Sequence, residues 1–529
     1  MNEPASFTLP LQAYPGMSRF ILDWMASAPA ATAFLPRDTR PLAPPGVPRG
    51  HDSLVEALIA SNARWNHDVA AELRRWNAGE TVTLIAGQQV GFAGGPLYTL
   101  TKLATLLALK RDLAKRGVPA TVFFWMATED HDFTEVATLS LAAAPGSGLP
   151  ASQHRPQLDL VRLRATRSLD AKTAIGSLPI PDSLTTSLIR LLGISRPSWL
   201  RDGISFRDSF AELIHSVVGN EVILVDALLP ALRYAGASLF RGLLESWDDV
   251  QQTLRERSLD LEKAGYPPQV LPRDSEPYTL LFRLDPANER EAIQPTAGGW
   301  TAGRRKAVLE DLLARPDRIS TSALTRPLLQ GSVLQPDVFV GGPAEVAYFA
   351  QIAPLHERFG IALPRMALRG HALLAPKRIA RAITRYELDP AAIFATADDV
   401  LAQHEPEGVA AVHAASDDGK RALMDAIERI GEIALPADHA LARAINRSVG
   451  HLEYHFEKLT ERAIRGLVRQ ERDRWQAVRD LVATLYPDRQ VQDRVAAWLP
   501  LWNLYGSDLL TRLVAEIEPD AQSFRIIAL

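Results

Sequence analysis

The sequence predicts an α/β protein: a parallel sheet with connecting insertions, followed by an α-helical coiled coil. Two patterns carry the prediction. An apolar run at residues 81–85 passes through a glycine-rich turn into a helical stretch, 96–116, and then, past a Gly-Val-Pro break, into a second apolar run at 120–126. Strand, helix and strand in that order imply two parallel strands with a crossover helix. Far downstream, Ile445, Val449, Leu452, Phe456, Leu459 and Ala463 alternate spacings of four and three, the seam of a coiled coil.

In chain order, residues 1–80 combine aromatic anchors (Tyr14, Phe20, Trp24, Phe34), a proline-rich stretch at 40–50 and a helical pattern over 54–76. They read as a segment wrapped on the core. Runs at 221–226 (EVILVD) and 338–342 (VFVGG) read as further buried strands. Residues 139–220 are rich in proline and serine, which predicts an irregular insertion between strands of one sheet. Beyond Arg378 the pattern becomes helical. Leu423, Ile427, Ile430 and Ile433 form an apolar stripe that ends at a proline-containing turn, 435–438, suited to joining two antiparallel helices. The seam then closes a helical hairpin, a dimer interface, or both. Residues 475–486 continue as helix, and the last forty fold back as a helical cap. The expected division is a core at 1–390, a coiled coil at 391–486 and a cap at 487–529.

A chain of 529 residues with 47% apolar composition buries a substantial core. Its 58 basic and 62 acidic residues nearly cancel, and the net charge of −4 gives no overall field to attract nucleic acid or a membrane surface. No apolar run reaches the ~18 residues of a membrane span, and no secretory signal pattern is present, so a cytoplasmic location is expected. The sequence contains no cysteine. Disulfides, thiolate metal sites and a thioester on the protein are therefore excluded.

Three stretches carry candidate chemistry. The first, after the strand at 81–85, holds Gln88, Gln89, Gly91, Gly94 and Gly95, with Tyr98 and Lys102 on the following helix. Glycines there let backbone amides approach an anion, and the glutamines suit a polar uncharged group; the plainer reading is a tight turn packed closely. The second is Glu129, Asp130, His131 and Asp132, directly after the strand at 120–126 and so at the same edge of the sheet. Crowded carboxylates beside a histidine can move a proton, hold an ammonium or bind a divalent metal; a solvated acidic turn is the alternative. The third contains Arg326 and Gln330, then a second strand-to-helix turn at Gly341–Pro343 followed by Glu345, Tyr348 and Gln351. Arg326 offers a fork for a carboxylate or phosphate, while Glu345 is most simply a first-turn residue that complements the helix dipole.

Taken in order, GQQVGFAGGPLYTLTK (87–102), FFWMATEDHDFTE (123–135), RPLLQ (326–330), GGPAEVAYFAQI (341–352) and LYPDRQVQDR (485–494) resemble the signature blocks of the BshC family, to which the cysteine-adding step of bacillithiol biosynthesis is ascribed. The resemblance implies a Rossmann-like core, a coiled coil that supports a homodimer, and a ligase joining L-cysteine to glucosaminyl malate through an amide. The sequence departs from the family pattern at 320–325 (STSALT), where an Asn-Val pair is expected, and at 492–494 (QDR), where Gln-Glu-Arg is usual. The HIGH and KMSKS motifs of synthetases with a related core are absent. The activating nucleotide, ATP or another, and any magnesium stay open. On this reading the loop at 91–95 and Arg326 bind anions, with Lys102 as an extra charge, and His131, steered by Asp130 or Asp132, is the base for the attacking amine. Glu129 or Glu345 would orient an ammonium. Two other classes remain: a metal-dependent hydrolase or nucleotidyltransferase using residues 129–132, and a non-catalytic nucleotide-binding assembly protein.

Overall fold

The computed structural model describes residues 6–38, 41–136, 138–142, 160–164, 173–270, 278–296, 299–303, 305–394, 408–434, 441–470 and 472–529. These fall into two compact units. One joins residues 6–374 to 490–527, and the other comprises 375–489 with 528–529.

Five parallel strands form the centre of the first unit: β1 (Val82–Gln88), β2 (Ala120–Met126), β3 (Ile223–Asp226), β4 (Val338–Gly341) and β5 (Arg365–Leu368). Their spatial order is 3-2-1-4-5. Every residue of β2, β3 and β4 is buried, as expected of parallel strands covered on both faces, which is why the runs at 120–126, 221–226 and 338–342 are nearly unbroken apolar stretches. The chain leaves β1 in one direction through β2 and β3, then returns to the other side for β4 and β5. The crevice beyond the carboxyl ends of β1 and β4 is thus the switch point where open α/β sheets hold ligands.

The helix expected at 96–116 is α1 (Leu97–Lys115). The loop before it serves packing: Gly94 has φ +84°, and a Cβ there would stand 2.4 Å from the indole of Trp498, whose Nε1 donates to the Gly94 carbonyl at 3.1 Å. Two more helices matter for the site, α2 (Arg326–Leu334) and α3 (Pro343–Arg358). The pattern over 54–76 resolves into two helices, Asp52–Ala63 and Ala70–Asn77, separated by a turn with Asn66 at φ +57°.

The expected irregular insertion at 139–220 is more ordered than its composition suggested. Strands Thr138–Ala142 and Leu160–Arg164 pair antiparallel, and helices Asp182–Leu192 and Phe206–Val218 follow. Its proline and serine residues start helices: Pro181 precedes the first, and the Ser205 hydroxyl caps the second by accepting from the Asp208 N–H at 3.0 Å. A separate antiparallel sheet places strand Leu281–Leu284 between Arg290–Thr296 and Ile319–Thr321. The C-terminal stretch is not purely helical. After helices at 492–495, 499–505 and 507–516 the chain pairs antiparallel with the N-terminal strand Phe7–Pro10, Ile526 opposite Phe7, because the alternation of Phe524 and Ile526 has the period of a strand.

In the second unit, α4 (Val409–Ala434) packs against α5 (Leu441–Gln470). Ser416 and Thr460 share a hydrogen bond at 2.7 Å, and a Cβ on Gly419 would meet the Phe456 ring at 2.6 Å. The proline turn expected at 435–438 lies outside the described residues. The seam is only partly used within this unit: Leu452 and Leu459 remain 40% and 63% exposed, and Ile430 and Ile433 of α4 are 58% and 81% exposed. Among the described residues, no helix is long and apolar enough to cross a membrane.

Candidate active site

A polar cleft of about 480 Å³ opens where β1, β2 and β4 end. Its floor is an ion pair across the switch point. Lys102, in the second turn of α1, is buried; its Nζ lies 2.5 Å from the Glu345 carboxylate and donates to the Gly87 carbonyl at 2.7 Å and Gln88 Oε1 at 3.1 Å. Glu345 is the third residue of α3, and the same oxygen accepts the Gly342 N–H at 2.8 Å. Burial opposes ionisation of Glu345, but Lys102 and this N–H together hold its carboxyl below the ordinary value. One turn later Tyr348 fixes Arg326, whose Nη2 donates to the phenol oxygen at 3.0 Å. Burial pushes the Tyr348 hydroxyl up to about 12, so it stays neutral. Among the described residues, neither Arg326 nor Arg494 forms an ion pair, although both line the cleft. Gln88 Nε2 donates to the Tyr98 hydroxyl at 3.3 Å.

Arg369, from the end of β5, is held by Asp493 at 2.8 Å and by Thr101 at 3.1 Å. The QDR departure therefore supplies the carboxylate that seats a cleft arginine. His371, buried beside them, is held down at about 4, first by burial and then by the charge of Arg369. It is neutral when folded, whereas an unfolded imidazole titrates near 6.5. Between these values the unfolded chain binds the extra proton, so stability is lost as pH falls from about 6.5 towards 4, by roughly 2–3 kcal/mol for this residue. Denaturant midpoints across that range should fall less steeply for His371→Phe than for wild type; equal slopes would contradict the assignment.

The acidic stretch after β2 divides into unlike members. Glu129 is buried and fully engaged: Arg233 donates to it at 2.7 Å, Ser320 Oγ at 2.7 Å, and Thr321 through Oγ1 at 2.7 Å and its backbone N–H at 3.1 Å. It ties β2 to strand Ile319–Thr321 while still lining the cleft. Asp130 accepts from Gln89 at 2.8 Å and from the His131 and Asp132 N–H groups at 2.7 and 3.1 Å. Burial opposes its charge, yet Gln89 and Arg290 keep its carboxyl below the usual range. Arg290 Nη1 lies 2.8 Å from His131 Nδ1, and its other Nη donates to the Thr321 carbonyl. A guanidinium can only donate, so Nδ1 is the acceptor and the neutral ring carries its proton on Nε2. His131, expected as the base for the attacking amine, thus stands with Nδ1 against Arg290. Asp132 is the exposed carboxylate of the group.

Several expected residues lie elsewhere. Gln351 is buried, clamping the backbone of Gln269 and Val270, and Gln330 is buried in α2. Neither lines the cleft. Gly91 and Gly95 border a separate recess of about 10 Å³, room for one water, and Gly94 packs on Trp498. Tyr348 acts behind Arg326. Conversely, Phe282, Arg290, Arg369 and Arg494 line the cleft without having been singled out. Arg494 sits in the 485–494 block; Arg290 and Phe282 carry no local signal. Among the described residues no three His, Asp or Glu side chains converge as metal ligands, and Glu129 and Asp130 are already occupied by N–H and O–H donors.

Fold and cleft define a Rossmann-like α/β protein whose switch point is lined by charged side chains suited to small polar ligands. The profile described as "Bacillithiol biosynthesis BshC, N-terminal Rossmann-like domain" matches residues 46–370, and that described as "Bacillithiol biosynthesis BshC, C-terminal coiled-coil domain" matches 372–529. The chain belongs to the BshC family of bacillithiol biosynthesis. It is 29% identical over 488 residues to a protein of Solibacter usitatus, covering 89% of each chain, and 29% identical over 538 residues to one of Koribacter versatilis, covering 96% of each. A Geobacillus kaustophilus relative is 26% identical over 499 residues, 90% of each chain. All three are named "Putative cysteine ligase BshC".

Proposed function

We propose that this chain is a carbon–nitrogen ligase that joins the carboxyl group of L-cysteine to the amine of glucosaminyl malate, driven by a nucleoside triphosphate. The name its relatives carry supports the reading, and one observation carries it here: the cleft sets Arg326 and Arg494, which have no ion-pair partner among the described residues, against the acidic side formed by Asp130 and Asp132. Both substrates present carboxylate and amine groups, which such a cleft sorts by charge.

A carboxylate is a poor acylating agent because an oxide would have to leave. In the proposed reaction a cysteine carboxylate oxygen attacks the terminal or the innermost phosphorus of the triphosphate, and the P–O bond to the leaving nucleoside diphosphate or pyrophosphate breaks. The sugar nitrogen then attacks the acyl carbon, and the C–O bond breaks with its electron pair leaving on the phosphorylated oxygen. The chain's contribution is electrostatic: Arg326 and Arg290 face the developing oxyanion, the His131 Nε2–H donates to it, and the surplus proton of the nitrogen passes to Asp132. The reading places the reaction in the cytoplasm. It is tested by incubating purified protein with both substrates and ATP, omitting each in turn, and weighing the product. A mass equal to the sum of the substrates less one water, dependent on all three, is expected; no product from folded protein under any combination would overturn it.

The same reading includes a homodimer. The apolar residues left exposed on the helical hairpin, Ile430, Ile433, Leu452 and Leu459, are the surface a second copy would cover. A sedimentation mass of one chain would contradict this.

A further inference from the structure

The cleft has an apolar annexe. A recess of about 190 Å³ lies next to it, and the two share Phe282, Ser322 and Ala323 as common walls. Strand geometry makes them continuous. Phe282 pairs across the antiparallel sheet with Ala292, and alternate residues of a strand share a face, so the strand that presents Arg290 to the cleft presents Ala292 and Gln294 to the recess. The guanidinium of Arg290 lies 4.1 Å over the Phe282 ring, which marks the boundary between charged and apolar walls. Beyond it the recess is lined mostly by apolar side chains, Val270, Leu280, Leu281, Ala292 and Leu324, with Tyr278 and Gln294 among them.

We infer that L-cysteine binds at the Phe282 end of the cleft with its CH2–SH group in this recess and its carboxylate at Arg290 and Arg326, leaving the Lys102, Arg369 and Arg494 end to glucosaminyl malate. The inference rests on the ligase reading and adds to it the orientation of the two substrates. Its physical basis is the mismatch of chemistry. The sugar and malate parts carry hydroxyls, carboxylates and an amine, each of which loses hydrogen bonds when placed against leucine and valine. The thiol is the one side group of either substrate that hydrogen-bonds weakly and behaves as a small hydrophobe. The recess is also larger than a thiol requires, so an S-methyl group extends into space that is already apolar.

Two measurements test the orientation. Wild-type protein assayed with L-cysteine, S-methyl-L-cysteine and L-serine should accept the S-methyl compound and disfavour serine about 10- to 100-fold in kcat/KM, since a hydroxyl moved from water to mostly apolar walls loses more hydrogen bonding than a thiol does. Ala292→Leu narrows the recess and should raise KM for L-cysteine about tenfold or more with little change in KM for glucosaminyl malate, and should abolish use of the S-methyl compound. Serine used as well as S-methyl-L-cysteine, or a rise confined to KM for glucosaminyl malate, would overturn the orientation. If Ala292→Leu fails to fold, the wild-type series decides alone. If wild type forms no product with any amino acid, the ligase reading fails, and the recess is judged by calorimetric titration: tighter binding of S-methyl-L-cysteine than of L-serine supports it, and equal or reversed affinities overturn it.

Discussion

Arg326→Gln should lower kcat/KM by about 10²–10³-fold while leaving the denaturant midpoint close to that of wild type. The guanidinium is anchored on one side by the Tyr348 hydroxyl and has no carboxylate partner among the described residues, so its charge faces the cleft. Removing it breaks no buried ion pair, and the loss falls on catalysis. Glutamine keeps a donor for Tyr348 but cannot neutralise an oxyanion or grip a carboxylate with two parallel N–H groups. Tyr348→Phe tests the same anchor from behind: it should cost less, about tenfold, because the charge remains and only its aim is loosened. An Arg326→Gln enzyme within threefold of wild type would remove Arg326 from the site.

Glu129→Ala should destabilise the protein by about 3–5 kcal/mol, the largest stability effect expected in the core. The cost arises from what is left behind: Arg233, wholly buried, would lose the carboxylate 2.7 Å away, and Ser320 and Thr321 would lose their acceptor. Replacing both charged partners, Glu129→Leu with Arg233→Met, should recover part of the loss, because no uncompensated charge remains. Urea denaturation of the two variants measures this directly; a single variant within 1 kcal/mol of wild type would show the pair to be incidental.

The pair also shows how far the sequence could be read. Four of the five parallel strands are legible because strands buried on both faces are continuous apolar runs flanked by turns, and the helix seam is legible through its spacing. β5 begins on a charged residue, Arg365, and follows a proline, so it offers no such run. The acidic stretch at 129–132 is visible as a cluster, but the sequence does not separate Glu129 from Asp130, since what distinguishes them is partners 104 and 191 residues away for one and Gln89, 41 residues away, for the other. The same remoteness hides Arg290, which sets the tautomer of His131 from 159 residues along the chain. Local pattern predicts which residues reach the edge of the sheet; the fold decides which of them are already satisfied when they arrive.

The most direct measurement follows oxygen. L-cysteine labelled with oxygen-18 in both carboxyl positions is incubated with glucosaminyl malate, ATP and the purified protein, and the products are analysed by mass spectrometry. Activation of the cysteine carboxylate in this cleft predicts one labelled oxygen in the amide product and one in the released phosphate or nucleoside monophosphate. An amide formed with no label in any phosphorus-containing product would contradict activation through phosphorus, and the absence of an amide would contradict the ligase itself.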